Sequence, residues 1–131
     1  MNLYKKALEF ATKKHSGQKR KNGDNYIIHP IRVSQEVFTE TQKACALLHD
    51  TIEDTSATYE EIEQTFGKQI ADIVYALTHH KDEPYDRYIQ RIKQFPDAIQ
   101  VKIADITDNL NDSPTSKAIT KSANAITELL K

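Results

Sequence analysis

The chain has 131 residues, enough for one domain of ordinary size over 1–131, and 18 Lys+Arg against 19 Asp+Glu leave a formal charge of −1. That balance gives no global attraction to nucleic acid or an acidic membrane surface. Three isolated glycines, Gly17, Gly23 and Gly67, cannot write a dinucleotide fingerprint or a P-loop. A single cysteine, Cys45, excludes an intrachain disulfide framework and a thiolate zinc cage, so any metal must be held by His, Asp or Glu. Apolar runs fall far short of a membrane span, and Met1 to Lys14 lacks a secretory apolar core. A soluble, reducing, cytoplasmic setting is expected.

Hydrophobic spacing predicts helices throughout. Leu3, Ala7, Phe10 and Ala11 form a first stripe, stopped at Ser16-Gly17. Lys19 to Ile28 reads as loop, with a turn at Asn22-Gly23 that could close a short hairpin. His29-Pro30 is a helix entry, followed by Val33, Val37 and Phe38 as the inward stripe. A short helix through Ala44, Leu47 and Leu48 carries His49 and Asp50. Thr58 and Glu61 fit a capping box before a helix ending near Phe66-Gly67. Ile70, Ile73, Val74 and Leu77 give the next inward face, and Pro84 and Pro96 bracket another helix. Ile99, Val101 and Ile103 alternate like a strand, but the longer set Ile99, Ile103, Ile106 and Leu110 favours a helix. A last helix after Ser113-Pro114 places Ile119, Ala123, Ile126 and Leu130 on one face. A compact all-α bundle follows.

The chemistry concentrates in a few places. A helical reading puts His49 one turn from Glu53, and Asp50 one turn from Asp54. Three carboxylates so close repel unless a proton or cation relieves them. The alternative is a solvated helix end, which the preceding run Ala44 to Leu48 argues against. Asp105 lies in the apolar stretch Val101 to Ile106, where an unpaired carboxylate costs several kcal/mol. A buried salt bridge would also satisfy it, but Lys102 reads as too near in sequence to face the same way. His29, His49, Asp50 and Asp105 together would offer two nitrogen and two oxygen ligands, suited to Mn, Fe, Co or Zn. Lys13, Lys14, Lys19, Arg20 and Lys21 form a basic cluster, either a solvated loop or an anion clamp in which Arg20 stacks on a base and Tyr26 packs nearby. Asn109 follows Asp105 by one turn, as a cleft residue or a helix-end cap. Cys45 reads as a buried structural thiol, His15 as a helix-terminal charge, His79-His80 as an exposed end, and Arg87, Tyr88 and Arg91 as a wet face.

Three stretches carry a family resemblance. They are His15-Ser16-Gly17-Gln18-Lys19-Arg20-Lys21, Tyr26-Ile27-Ile28-His29-Pro30, and Ala46-Leu47-Leu48-His49-Asp50-Thr51-Ile52-Glu53-Asp54-Thr55. With Phe66-Gly67, Leu77-Thr78, and Val101-Lys102-Ile103-Ala104-Asp105 ahead of Asn109, the chain resembles the HD-domain alarmone hydrolases of the RelA/SpoT group, in their small stand-alone branch. The resemblance implies an all-α fold and metal ligands His29, His49, Asp50 and Asp105, usually for Mn2+. It implies Glu53 and Asp54 as the pair that positions and activates water, and Arg20, Lys21 and Asn109 as substrate contacts. The implied reaction removes the 3′-pyrophosphate from ppGpp or pppGpp, leaving GDP or GTP. The chain departs from the pattern at Ile106, where many members carry a basic residue. Lys81, Arg87, Arg91 and Lys102 are candidates for holding the pyrophosphate. Another nucleotide, such as (p)ppApp or NADPH, or a non-catalytic nucleotide-binding role, remains the alternative.

Overall fold

The computed structural model describes residues 2–131. In chain order these form α1 (Leu3–Lys14), α2 (Ile28–Gln35), α3 (Glu40–Leu48), α4 (Thr51–Asp54), α5 (Tyr59–Phe66), α6 (Lys68–Ala76), α7 (Tyr85–Ile92), α8 (Pro96–Asn109) and α9 (Ser116–Leu129). Among the described residues no helix is long and apolar enough to cross a membrane.

The middle of the bundle is α3, which packs against α1, α2, α6 and α8. Ala44, Cys45, Ala46, Leu47 and Leu48 are all fully buried there. The small residues in this run let neighbouring helices approach closely, and Leu47 and Leu48 fill the space between them. Burial pushes the Cys45 thiol up to about 12, so it stays protonated as an inert packing group.

Polar side chains set the helix starts. Asn2, Thr39, Thr58 and Thr115 each accept a backbone N–H at the head of their helices. The full capping box lies at Thr39, where Gln42 N donates to Thr39 Oγ1 at 3.0 Å and Thr39 N donates to Gln42 Oε1 at 3.3 Å. Thr58 makes only half of its expected box, because the Glu61 carboxylate turns to Lys14 Nζ at 3.1 Å. The loop after α1 closes with an isolated antiparallel bridge between Lys19 and Asn25, and Gly23 takes the positive φ of 93° that its turn requires.

Three local expectations are corrected and one ambiguity is resolved. The helix of Ala44 to Leu48 does not continue through His49 and Asp50: His49 caps α3 and Asp50 precedes α4. Phe38 is 80% exposed, because α2 ends at Gln35 and the chain turns outward before Thr39. The stretch that alternates like a strand is helical, as its longer apolar set favours: it is α8, with Val101, Ala104, Asp105, Ile106 and Asp108 buried and Ile99 and Ile103 half-buried. Finally, α9 turns Ala125 and Leu129 inward and leaves Ile119 49% exposed. It lies at the edge of the bundle against α7 and α8, so its apolar stripe is wider than the face it can bury.

Candidate active site

Three elements converge on one point. His29 comes from the first turn of α2, His49 and Asp50 from the break between α3 and α4, and Asp105 from the inward face of α8. Each offers one ligand atom, and these atoms all lie within 4.8 Å of one another. His29 Nε2 is 2.8 Å from Asp105 Oδ1, and His49 Nε2 is 3.2 Å from the same oxygen. His49 Nε2 also lies 3.0 Å from Asp50 Oδ2. The helix break thus has a use: it turns two consecutive side chains, His49 and Asp50, toward the same point.

The opposite edge of each imidazole is also occupied. His29 Nδ1 lies 2.7 Å from Asp108 Oδ2, and His49 Nδ1 lies 2.6 Å from the Ala46 carbonyl. With Nδ1 so held, each ring turns its Nε2 toward the carboxylates, which is the nitrogen a metal-binding histidine offers. Two imidazole nitrogens and two carboxylates at this spacing fit a divalent metal.

The carboxylates are tightly supported. Asp105 Oδ1 also accepts from Asn109 Nδ2 at 3.3 Å, and its Oδ2 meets Lys102 Nζ at 2.9 Å. Lys102 therefore does face the way Asp105 faces, contrary to expectation, because residues three apart on a helix share a side. Burial alone would raise the Asp105 pKa, but Lys102 and then His49 hold it well below the usual carboxylate range. Burial would likewise lower His49, and Asp50 and Asp105 reverse that and raise it well above its ordinary value. Tyr26 donates its hydroxyl to Asp50 Oδ2, and burial followed by the Asp50 charge pushes its pKa up, so it remains a donor.

The cluster opens into a polar cavity of about 230 Å³. Glu53 and Asp54 line it on one side, and His79, Tyr85, Tyr88 and Lys102 on another. Glu53 Oε1 accepts from the backbone N–H of His79 at 2.8 Å, so one oxygen is already anchored. Burial first, then the charges of Asp50 and Glu53, raise Asp54 to about 6.

Several residues read as exposed belong to this wall. His79 stacks on Tyr88 at 4.7 Å between ring centroids. Tyr88 is buried, donates to the Leu77 carbonyl at 2.7 Å, and carries Lys102 Nζ over its ring at 5.1 Å. Arg91 pairs with Glu83 and donates to the Thr78 carbonyl at 2.5 Å, which ties down the segment that presents His79. His15 does cap the end of α1, but not as the charge expected there. It is buried against Tyr26, bonded to Gln18 at 3.0 Å, and burial lowers its pKa.

A neighbouring cavity of about 510 Å³ adjoins the first through Tyr26 and Asn109, and includes Lys19, Arg20, Lys21 and Pro114 in its lining. The basic loop therefore borders the cluster. Lys21 is exposed. The Arg20 side chain is 9% exposed, with its guanidinium edge bonded to Asp108 at 3.2 Å, Asn109 at 3.0 Å and Asp112 at 2.5 Å. Asn109 touches both Asp105 and Arg20, so it is a cleft residue rather than a cap. The sequence reading missed Asp108. Its spacing of three residues from Asp105 was the available signal, since that places a second acid on the same apolar face of α8.

A family model described as HD domain matches residues 7–102. The chain belongs to the HD-domain family, and its His/Asp cluster is suited to a divalent metal. It is 38% identical over 117 residues to the guanosine-3′,5′-bis(diphosphate) 3′-pyrophosphohydrolase of Aquifex aeolicus, covering 80% of this chain and 17% of that protein. It is 39% identical over 118 residues to the enzyme of the same name, MESH1, of Danio rerio, covering 80% of this chain and 66% of that one. A solved structure, described as a metazoan orthologue of SpoT that hydrolyses ppGpp, superposes with a TM-score of 0.79 at 25% identity. That match covers 100% of this chain and 86% of the other.

Proposed function

We propose that the protein is a metal-dependent hydrolase that removes the 3′-pyrophosphate from guanosine tetra- or pentaphosphate alarmones, with Mn2+ as its metal and the cytoplasm as its setting. The observation that carries this reading is the convergence of His29, His49, Asp50 and Asp105 beside a cavity walled by Glu53 and Asp54, with the basic loop of Arg20 and Lys21 next to it. The relatives that bear this activity in their names align with most of the chain.

When bound, the metal lowers the pKa of a water and polarises the phosphate oxygens it touches. The remaining work falls to the chain. Asp54, with a pKa near 6, and Glu53, anchored through His79, are placed to orient water and take its proton. Arg20 offers a planar face to the base, Lys21 a charge to phosphate, and Asn109 an amide near the ribose. Of the four basic candidates Lys102 is the one that lines the cavity, paired with Asp105, and it would hold the leaving pyrophosphate. Ile106, where a basic side chain is common in the family, is buried and does not line the cavity. Water adds to the phosphorus, the bond to the ribose 3′ oxygen breaks, and that oxygen takes up a proton. GDP or GTP and pyrophosphate leave.

The test is chromatography of ppGpp, ppApp and NADPH incubated with the Mn2+-loaded protein. Release of pyrophosphate with GDP from ppGpp, faster than turnover of the other two, is expected. Turnover of NADPH or ppApp alone would overturn the guanine assignment.

A further inference from the structure

Asp108 lies on the inward face of α8, and its carboxylate is almost fully buried. Both of its oxygens are engaged. Oδ2 takes His29 Nδ1 at 2.7 Å and Arg20 Nη1 at 3.2 Å, while Oδ1 takes Arg32 Nε at 2.9 Å. Asp108 is not among the residues lining the two site cavities. Nor does it belong to the four-residue cluster. It therefore meets the site from behind, at one ring edge of His29 and one guanidinium edge of Arg20.

We propose that Asp108 is a positioning residue that locks His29 and Arg20 against a single carboxylate, so that the metal cluster and the nucleoside-binding loop are held in one register. The inference rests on the reading of the cluster as a metal site.

The physical case has three parts. First, a histidine keeps its Nε2 aimed at a metal only if something fixes its Nδ1–H and ring plane, and a carboxylate does this best. Second, the two histidines are supported differently. His49 Nδ1 donates to the Ala46 backbone carbonyl, which belongs to α3 itself, whereas His29 depends on a side chain from another helix. Third, Arg20 stands on the loop between α1 and α2, which is fastened to α8 and the residues after it through side chains. These fastenings are Arg20 to Asp108, Asn109 and Asp112, and Asn22 to Asp112 at 3.4 Å. Among the partners of Arg20, Asp108 is the one that also touches a residue of the cluster through an imidazole, so one oxygen transmits position between the two halves of the site. Arg32, 41% exposed at its side chain, holds the other oxygen, Oδ1, from the solvent side.

The test compares the full chain with Asp108→Ala, Asp108→Asn and Arg20→Ala. Mn2+ affinity is measured by calorimetry without nucleotide, folding by thermal melting, and KM and kcat with ppGpp. Asp108→Ala is expected to lower Mn2+ affinity by about 10- to 100-fold, the usual loss when a carboxylate behind a ligand histidine is removed, and to raise KM. Asp108→Asn keeps an acceptor for His29 but loses the charge facing Arg20. It should hold Mn2+ to within about tenfold of the wild type, above the alanine variant, while KM rises. Arg20→Ala should raise KM and leave Mn2+ affinity unchanged. If Asp108→Ala does not fold, the asparagine variant decides: raised KM with Mn2+ retained supports the proposal, and unchanged KM overturns it. A wild type that binds Mn2+ while a folded Asp108→Ala binds it equally well overturns this inference alone. A wild type that binds no divalent metal overturns the proposed function and this inference with it.

Discussion

On α8, the face turned toward α2 and α3 carries two carboxylates, Asp105 and Asp108, both nearly removed from solvent. On α9, which packs against α8 and α7, Ile119 and Leu130 stand in solvent. Polarity and burial are thus inverted between adjacent helices. A buried carboxylate costs several kcal/mol unless it is paired, and breaking one pair strands the other group. Asp105 has Lys102, His29, His49 and Asn109 around it, and Asp108 has His29, Arg20 and Arg32. Such a network is weak grounds for net stability, because apolar packing of the same volume would serve as well. What it provides is placement, which is what a site needs. The outer face of α9 carries no such constraint.

That contrast is open to direct attack. The largest effect is expected inside the cavity. Glu53→Gln should keep the fold and the metal and lose about 10²- to 10⁴-fold in kcat, the range of general acid–base catalysis. Asp54→Asn should follow in the same direction. Metal content and single-turnover rate on both variants check this, and loss of metal from either would make that residue a ligand instead. In the core, Leu47→Ala should cost about 2–5 kcal/mol in denaturant unfolding, because the leucine is fully enclosed by packed helices. Thr39→Ala removes a complete capping box and should cost about 1 kcal/mol. At the bottom of the scale, Ile119→Ser on the open face of α9 should change stability by no more than about 0.5 kcal/mol. A cost from Ile119→Ser comparable to that of Leu47→Ala would erase the contrast between the two regions.

The cluster was the most legible part of the sequence. His29-Pro30, the apolar run into His49-Asp50, and an acid at Asp105 inside an apolar stretch are local patterns, and the structure brings all four side chains together. The helices of the core are legible for the same reason, since α6 buries the Ile70, Ile73 and Val74 that its periodicity marks, and α1 buries Ala7 and Ala11 with Leu3 and Phe10 half-buried. What escaped is relational. Nearness in sequence hides that a three-residue step on a helix keeps Lys102 beside Asp105, and the same step places Asp108 on that side too. His79 and Tyr88 look like surface residues until α7 folds them over the cavity as a stacked pair. The wrong face of α9 has a similar cause. Periodicity reports the amphipathic character of one helix, and neighbours decide which part of a wide apolar stripe is covered.

The central claim is that one divalent metal, held by His29, His49, Asp50 and Asp105, drives hydrolysis of ppGpp. His49 is the ligand with the most to reveal, because its Nε2 faces Asp50 and Asp105 at once while its Nδ1 is held by its own helix. The decisive measurement is elemental analysis of purified wild type and His49→Ala after loading with Mn2+, alongside pyrophosphate release from ppGpp. One metal per wild-type chain, with metal and activity lost together in a folded His49→Ala, is the expected result. A folded His49→Ala that retains its metal and still releases pyrophosphate would contradict it.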